Sequence, residues 1–320
     1  PTWSRNLREG VFKGGRDGKR LYLTFATGLP GTPMPSQTLS PEQVWRVVQY
    51  VQSLSDPKAQ ENAQIRSQTL AAQRVLSLPA GPEDALWESI PAVRVPLMPL
   101  WWHEGYISEV RVKAVHDGQR LAFRLEWDDV TRDAGAIEQA NFPDGAAVQL
   151  TANPSPPLFA MGAPGEPVNI WHWKAVWSED QKRFADVGTA FPRMVADAYF
   201  GSKSGWHSGP LEDTRFLPAV EVQNLIASPE RPSPIEDANA AGPGTLASQS
   251  HEGQNVQGLS VWQEGVWRLQ LVREITSSDP ADVPLSTGGT VSVAFALWDG
   301  SAGDRNGQKS VSIWNTLTLE

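Results

Sequence analysis

Few residues in this chain could do chemistry, and the familiar catalytic arrangements are missing. The five histidines, His103, His116, His172, His207 and His251, show no zinc-helix spacing, and HExxH does not occur. There is no GxSxG and no phosphate-binding loop. "GGRDGKR" ends in Gly-Lys but lacks the Ser or Thr and follows no strand. Cysteine is absent, which excludes disulfides, zinc–cysteine centres, iron–sulfur clusters and thioether-attached haem on this polypeptide. The four methionines stand out instead. Met98 in "VPLMPLWW" and Met194 in "FPRMV" read as core filler, the ordinary fate of an adaptable thioether. Met34 in "GLPGTPMPS" and Met161 in "FAMGAPGEP" sit in stiff Gly/Pro loops. Behind the second comes "VNIWHWKA", so one thioether is held in rigid, apolar, aromatic surroundings, and the question is what it faces.

The elements that must position these loops are legible from periodicity. "LSPEQVWRVVQYVQSLS" predicts a helix, with Ser40 as N-cap, Pro41 in the first position and Gln43 completing a capping box. Val44, Val47, Val48, Val51 and Leu54 form its apolar face. Residues 57–76, polar with alanines, suggest a linking helix. From about residue 87 the period changes to two. Val110, Val112 and Ala114 alternate with charges, "HDG" turns, and Leu121, Phe123, Leu125 and Trp127 share the next face. "VWQ-EG-VWRLQL" predicts a second hairpin, and "AAVQLT", "NIWHWKAVW", "GLSVWQ", "TVSVAFALW" and "KSVSIWNTLTL" continue the strands. Trp171, Trp173 and Trp177 are expected on one face of their strand, His172 and Lys174 on the other. Residues 178–256, rich in Pro, Gly, Ser and Ala, predict a long loop excursion. The fold expected is mainly β, a sandwich, with a short helical segment at the N-terminus.

Bulk properties narrow the partners. The 320 residues carry a formal charge of −9, and no Lys/Arg-rich block appears, which argues against nucleic acid. No apolar run approaches the length of a membrane span. The first residues carry no signal-peptide pattern, and residue 1 reads as the middle of something longer. Tryptophan is abundant, 14 against 4 tyrosines, which fits a flat cofactor, a sugar platform or simply a core.

Two stretches resemble known families. "LREGVFKGG…LYLTFATGLPGTPMPSQTLSPEQVWRVVQYVQSLS", roughly residues 4–56, is similar to the C-terminal half of a class I cytochrome c domain. There a Gly/Pro loop presents the distal methionine ahead of the last helix. The resemblance implies Met34 as the distal ligand of a c-type haem. The CxxCH that would attach that haem and supply the proximal histidine should lie upstream and is absent from this chain. Haem c is therefore expected only if such a segment precedes: either the chain is a fragment whose N-terminal part is missing, the favoured expectation, or this half-domain holds no haem.

The second resemblance is carried by "FPDGAAVQL…MGAPGEPVNIWHWKA", "GVWRLQLVREI" and "FALWDGSAGDRNGQKSVSIWNTLTL". These resemble the haem-binding gamma subunit of the ethylbenzene dehydrogenase and dimethylsulfide dehydrogenase family. The likeness covers most of residues 80–320 and is weakest over 178–256. It implies a β-sandwich holding a b-type haem between a methionine and a lysine, which map onto Met161 and Lys309. Expected domains are 1–56 (partial cytochrome c), 57–82 (linker) and 83–320 (haem b-binding sandwich). In "QKSVSIWNTLTL" Lys309 shares a strand face with Val311, Ile313, Leu317 and Leu319, which points it to the apolar side. Burial lowers a lysine's pKa toward the neutral amine that a ligand requires. A lysine at a turn after "DRNG" that snorkels to solvent fits the same spacing. Lys174 and Arg305 offer positive charge for haem propionates, and His172 is expected to be structural.

A haem with both axial positions filled by protein carries electrons rather than binding substrate. The resemblance implies a non-catalytic electron-transfer subunit in the periplasm. Its implied partners are a molybdopterin catalytic subunit, an iron–sulfur subunit and a soluble c-type cytochrome. The alternatives are a carbohydrate-binding sandwich and a scaffold without haem.

Overall fold

The computed structural model describes residues 7–9, 12, 17–28, 34–54, 67–156, 161–185, 187–193, 224–225 and 231–320. Met194, His207 and most of 194–230 within the expected excursion lie outside the described residues.

Two helices come first, α1 (Gly18–Thr27) and α2 (Pro41–Ser53). Both start where side chains satisfy free N–H groups. Asp17 accepts from the Arg20 N–H, and Ser40 and Gln43 form the expected reciprocal capping box. Val44, Val48 and Val51 of α2 pack with Leu21 of α1 in a small core of their own. The loop bearing Met34 crosses the end of α1 at Gly28 (φ 71°), where a Cβ would lie 2.5–2.7 Å from Ser36 N, Pro35 C and Met34 O. Glycine alone permits that crossing.

The remainder is a two-layer β structure. Its strands are β1 (Thr69–Arg74), β2 (Val93–Pro96), β3 (Met98–Pro99), β4 (Glu109–His116), β5 (Arg120–Asp128), β6 (Gly145–Thr151), β7 (Val168–Lys174), β8 (Ile235–Ala240), β9 (Ala247–Ser248), β10 (Gln257–Gln263), β11 (Val266–Glu274), β12 (Thr290–Trp298), β13 (Ser310–Val311) and β14 (Asn315–Leu319). Short helices α3 (Leu86–Ser89), α4 (Ala175–Asp180) and α5 (Val187–Ala190) lie between them. One sheet runs β10-β11-β5-β4 with β2 beside β4, and the other runs β14-β12-β6-β7-β8-β9. β13 joins β12 to β3. β1 belongs to both sheets, pairing in parallel with β14 through Thr69–Ala72 and with β4 through Gln73 and Arg74.

The strand alternation explains the core between the sheets. Val110, Val112 and Ala114 of β4 and Leu121, Phe123, Leu125 and Trp127 of β5 turn inward, as the period of two requires. Trp171 and Trp173 of β7 meet them from the opposite sheet. Phe123 touches Trp171 and Phe295 edge-on at 5.9 and 6.5 Å between ring centres, and Trp173 packs edge-on to both Trp127 and Trp267. The β10–β11 turn places Glu264 and Gly265 at φ 52° and 74°, the paired positive values of a tight hairpin.

Several local expectations are corrected. Residues 69–74, in the stretch expected to be a linking helix, form the strand that joins the sheets. "TLAAQR" lacks a β-branched run, so pairing on both sides decides its conformation. "AVW" after β7 opens helix α4, which places Trp177 on a helix. The excursion contains β8 and β9. "IEDANA" hides its strand character because Glu236 and Asp237 are buried polar residues with internal partners. "KSVSIWNTLTL" is not one strand, since the ladder breaks between Val311 and Asn315. Val311 packs on the outer side of its sheet, whereas Leu317 and Leu319 face the inner core.

Phe123→Ala is expected to lower the unfolding free energy by about 3–5 kcal/mol, because its ring spans both sheets. Urea denaturation checks this, and a loss below about 1 kcal/mol would contradict a core shared by the two layers.

Candidate functional site

The outer face of the second sheet is also apolar. Ala147 of β6, Val168 and Ile170 of β7, Ala240 of β8, and Ala296 and Trp298 of β12 form a second cluster, distinct from the core between the sheets. Met161, Val311 and Trp314 pack over it. Two loops from opposite sides of the sheet bring their side chains together here.

Met161 arrives on the loop before β7. Its φ of 87° is left-handed, a conformation an unbranched L-residue adopts only under constraint. The constraints are visible. Gln149 Oε1 accepts from Met161 N at 2.6 Å, and Met161 O accepts from Gly242 N at 2.7 Å. Gly162 follows at φ 73°, and a Cβ there would lie 2.6 Å from Ala240 O. The thioether is thus held by backbone contacts rather than by packing alone.

Lys309 arrives on the turn after β12. Trp298 Nε1 donates to Asn306 O at 3.1 Å, and Leu100 N donates to Lys309 O at 2.9 Å. Between them these bonds fix the turn and the strand start. Lys309 is 7% exposed, and its Nζ lies 3.8 Å from Met161 Sδ and 4.7 Å from the centre of the Trp298 ring. Among the described residues the other buried lysine and arginine side chains have carboxylate partners. Arg124 has Glu126 and Arg273 has Asp282, at 2.9 and 3.4 Å. Among the described residues Lys309 alone is a buried cation with none. Burial therefore pulls its pKa down to about 8 from 10.5, and about a tenth is the neutral amine at pH 7.

His172 and Trp298 complete the surroundings. Their rings stack at 4.7 Å and 29°. Burial, reinforced by the ammoniums of Lys174 and Lys309, holds His172 well below the usual histidine range, so it is neutral at pH 7. Gln149 Nε2, on the side chain whose Oε1 holds Met161 N, is a buried donor with no hydrogen-bond partner.

The structure therefore brings Met161 and Lys309 together. Met34 lies in the helical unit, half-buried in the loop before α2. Lys174 is engaged by an ion pair with Glu236, and the exposed Arg305 donates to Gly303 O and lies over the Phe142 ring. The tryptophan of this face is Trp298, which the sequence reading passed over. Trp171 and Trp173 belong to the inner core. Gln149 was missed too. The one available signal was a lone glutamine in the otherwise apolar run "AAVQLT".

The sequence that builds this sandwich has relatives. The signature of the ethylbenzene dehydrogenase family matches residues 84–310, and the chain belongs to that family. It is 28% identical over 244 residues to a "Putative respiratory nitrate reductase heme subunit ORF7" of Haloferax mediterranei, covering 74% of this chain and 67% of that protein. It is 29% identical over 217 residues to the chlorate reductase subunit gamma of Ideonella dechloratans (62% and 83% covered). It is 25% identical over 255 residues to the dimethylsulfide dehydrogenase subunit gamma of Rhodovulum sulfidophilum (74% of each). A solved "putative carbohydrate-binding protein" from Bacteroides uniformis overlays 80% of this chain and 100% of its own at 10% identity and a TM-score of 0.44, too slight a likeness to bear on ligand.

The lone lysine makes stability depend on pH. Between pH about 8 and 10.5 the unfolded chain keeps a proton on Lys309 that the folded chain has released, so stability without any ligand rises over that window. Lys309→Met removes this rise. The variant is expected to be more stable than the parent at pH 7, by on the order of 3 kcal/mol at most, with the difference shrinking toward pH 10.5. Urea unfolding across that range checks it, and a pH-independent difference would contradict the buried ammonium.

Proposed function

We propose that the protein is the haem-binding electron-transfer subunit of a molybdopterin oxidoreductase complex, with Met161 and Lys309 as axial ligands of a b-type haem. The observation that carries this reading is a buried amine with no counter-charge, facing a thioether at 3.8 Å. The donor set is soft sulfur plus neutral nitrogen, which suits a transition metal and not a hard cation. The flanking apolar cluster and the orphaned Gln149 amide also fit an arriving amphipathic group. Bound here, haem would supply one-electron exchange, with no axial position left open for substrate.

The chain's own groups have definable tasks. Gln149 and Gly242 hold Met161 in its left-handed conformation, so the sulfur needs no reorientation on binding. Burial and the absence of an acid near Lys309 favour the neutral amine. Trp298 pins the turn before Lys309 and, stacked with neutral His172, sets flat aromatic surface beside the amine. A ligand pair fixed in this way exchanges charge with little rearrangement.

The names of the relatives, two gamma subunits and a haem subunit, support a non-catalytic role within a larger complex. The proposed partners are a molybdopterin catalytic subunit and an iron–sulfur subunit, with a c-type haem or soluble cytochrome on the other side. Met34 would serve as the distal ligand of a haem c only with an upstream CxxCH. The proposed location is the periplasm. Among the described residues no helix is long and apolar enough to cross a membrane.

The test is a reduced-minus-oxidised spectrum of the full chain reconstituted with haem. A low-spin haem extractable into acid acetone is expected. Lys309→Ala and Met161→Ala should each abolish the low-spin signature and weaken haem binding at least tenfold. Unchanged spectra and haem content in Lys309→Ala would remove the ligand assignment, and no haem uptake by the folded parent would remove the electron-transfer role.

A further inference from the structure

A second cluster lies away from the methionine–lysine pair, where β5, β6 and β12 share one end of the sandwich. Asp129 follows β5, Asp144 precedes β6, and Asp299 follows β12. The three come from both sheets, and each presents a carboxylate oxygen within 4.8 Å of the others. Asp129 and Asp144 are 5% and 0% exposed, and Asp299 is half-buried. Among the described residues no lysine or arginine forms an ion pair with any of the three.

Hydrogen bonds account for only part of this acceptor capacity. Asp144 Oδ2 accepts from Asp133 N and Trp267 Nε1, and its Oδ1 accepts from Gly300 N. Asp299 Oδ1 accepts from Ser301 Oγ and Ala302 N. Asp129 Oδ1 accepts from Thr131 N at 3.1 Å. Asp129 Oδ2, by contrast, is buried with no partner of any kind. A buried carboxylate oxygen left bare beside two further carboxylates is costly, and donors are missing on that side. The missing species is positive. Burial first, then the charges of Asp144 and Asp299, push Asp129 up to about 7, and burial pushes Asp144 up to about 6. Without a cation the carboxyls relieve their repulsion and burial only by holding protons.

We propose that Asp129, Asp144 and Asp299 bind a hard divalent cation of the calcium type. The ligands are oxygen only, with no histidine or cysteine, which suits calcium and disfavours zinc or copper. Its place in the fold gives it a task. Asp299 opens the tight loop that continues into the turn carrying Lys309. Gly300 lies so close to the Phe142 carbonyl that a Cβ would sit 2.0 Å from its oxygen. Asp304 N donates back to Asp299 O at 3.0 Å, and Asp304 faces His103 at 3.4 Å. A cation on the three aspartates ties the end of the first sheet to the start of this loop. The cation site stands on its own residues and does not depend on the haem reading.

Terbium serves as the probe, because Trp267 Nε1 donates to Asp144 Oδ2 and Trp262 Nε1 donates to Asp129 O, each at 3.0 Å. Indoles this close sensitise terbium emission. The full chain, haem-free and stripped with EGTA, is titrated with terbium under tryptophan excitation, then with calcium and magnesium while thermal unfolding is followed. Saturable emission displaced by calcium is expected, with a calcium-dependent rise of several degrees in Tm and a smaller effect of magnesium. Asp129→Asn should weaken calcium binding at least tenfold while folding without calcium is retained. If that variant does not fold, Asp299→Asn, at a half-buried position, carries the same test. The proposal is overturned if the parent shows neither saturable emission nor a calcium-dependent Tm, or if both persist unchanged in the variants.

Discussion

The second sheet is apolar on both faces, and much else follows from that. An antiparallel sheet in a sandwich ordinarily turns one face to a partner sheet and the other to water. Here β6 is buried along its whole length. Its inner side chains join the core, and Ala147 joins Ile170, Ala296 and Trp298 on the outside. Small residues at 147 and 296 keep this outer surface low and flat. A surface of that kind needs a cover, and the loops of Met161 and of 310–314 are what the chain itself provides. Their polar and sulfur groups therefore end up over hydrocarbon, which is why a lysine there has lost its water and found no acid.

The rest of the interior shows how the chain treats buried charge when no ligand is in view. Arg273 sits among Asp282, Asn169 and the Val283 carbonyl, and Asp237 is held by Asn169 and Gln249. Arg231 pairs with Asp180 at 3.0 Å and stacks on Trp177. Most of their polar atoms meet donors and acceptors of the right sign, as burial demands, although Asp237 Oδ2 is left bare. Asp237 still has the Arg273 guanidinium near it, whereas the bare amine of Lys309 and the bare oxygen of Asp129 form no ion pair among the described residues. One lies over an aromatic ring beside a thioether, the other among carboxylates. The same physics marks both, and the surrounding atoms distinguish a soft site from a hard one.

What the sequence shows is what local periodicity encodes. The capping box at Ser40, the β4–β5 and β10–β11 hairpins and the inward tryptophans of β7 follow from spacing alone. β1 and β8 escaped, because their conformation comes from neighbours far along the chain and their own side chains are small or charged. The methionine and lysine were named through a family resemblance, and pattern alone left Lys309 divided between pocket and solvent. The supposed continuity of "KSVSIWNTLTL" could not have settled it. Parity along a strand predicts a face only while the ladder is unbroken, and between Val311 and Asn315 it breaks. Trp298 was legible as a strand residue but not as part of the outer face, since that assignment depends on which side of the sheet is already occupied.

The dual pairing of β1 has a consequence for whatever precedes it. The strand is entered at Gln68, whose N–H is held by Asn315 Oδ1 at 2.9 Å while its carbonyl accepts from Thr316 N. This anchor point lies in the segment that follows Lys309 directly. The helical unit of α1 and α2 is joined there by the short run from Leu54 to Gln68, which at full extension reaches no more than about 50 Å. Covalent geometry alone therefore keeps the Met34-bearing unit within that radius of the Gln68 anchor, whatever path the intervening residues take.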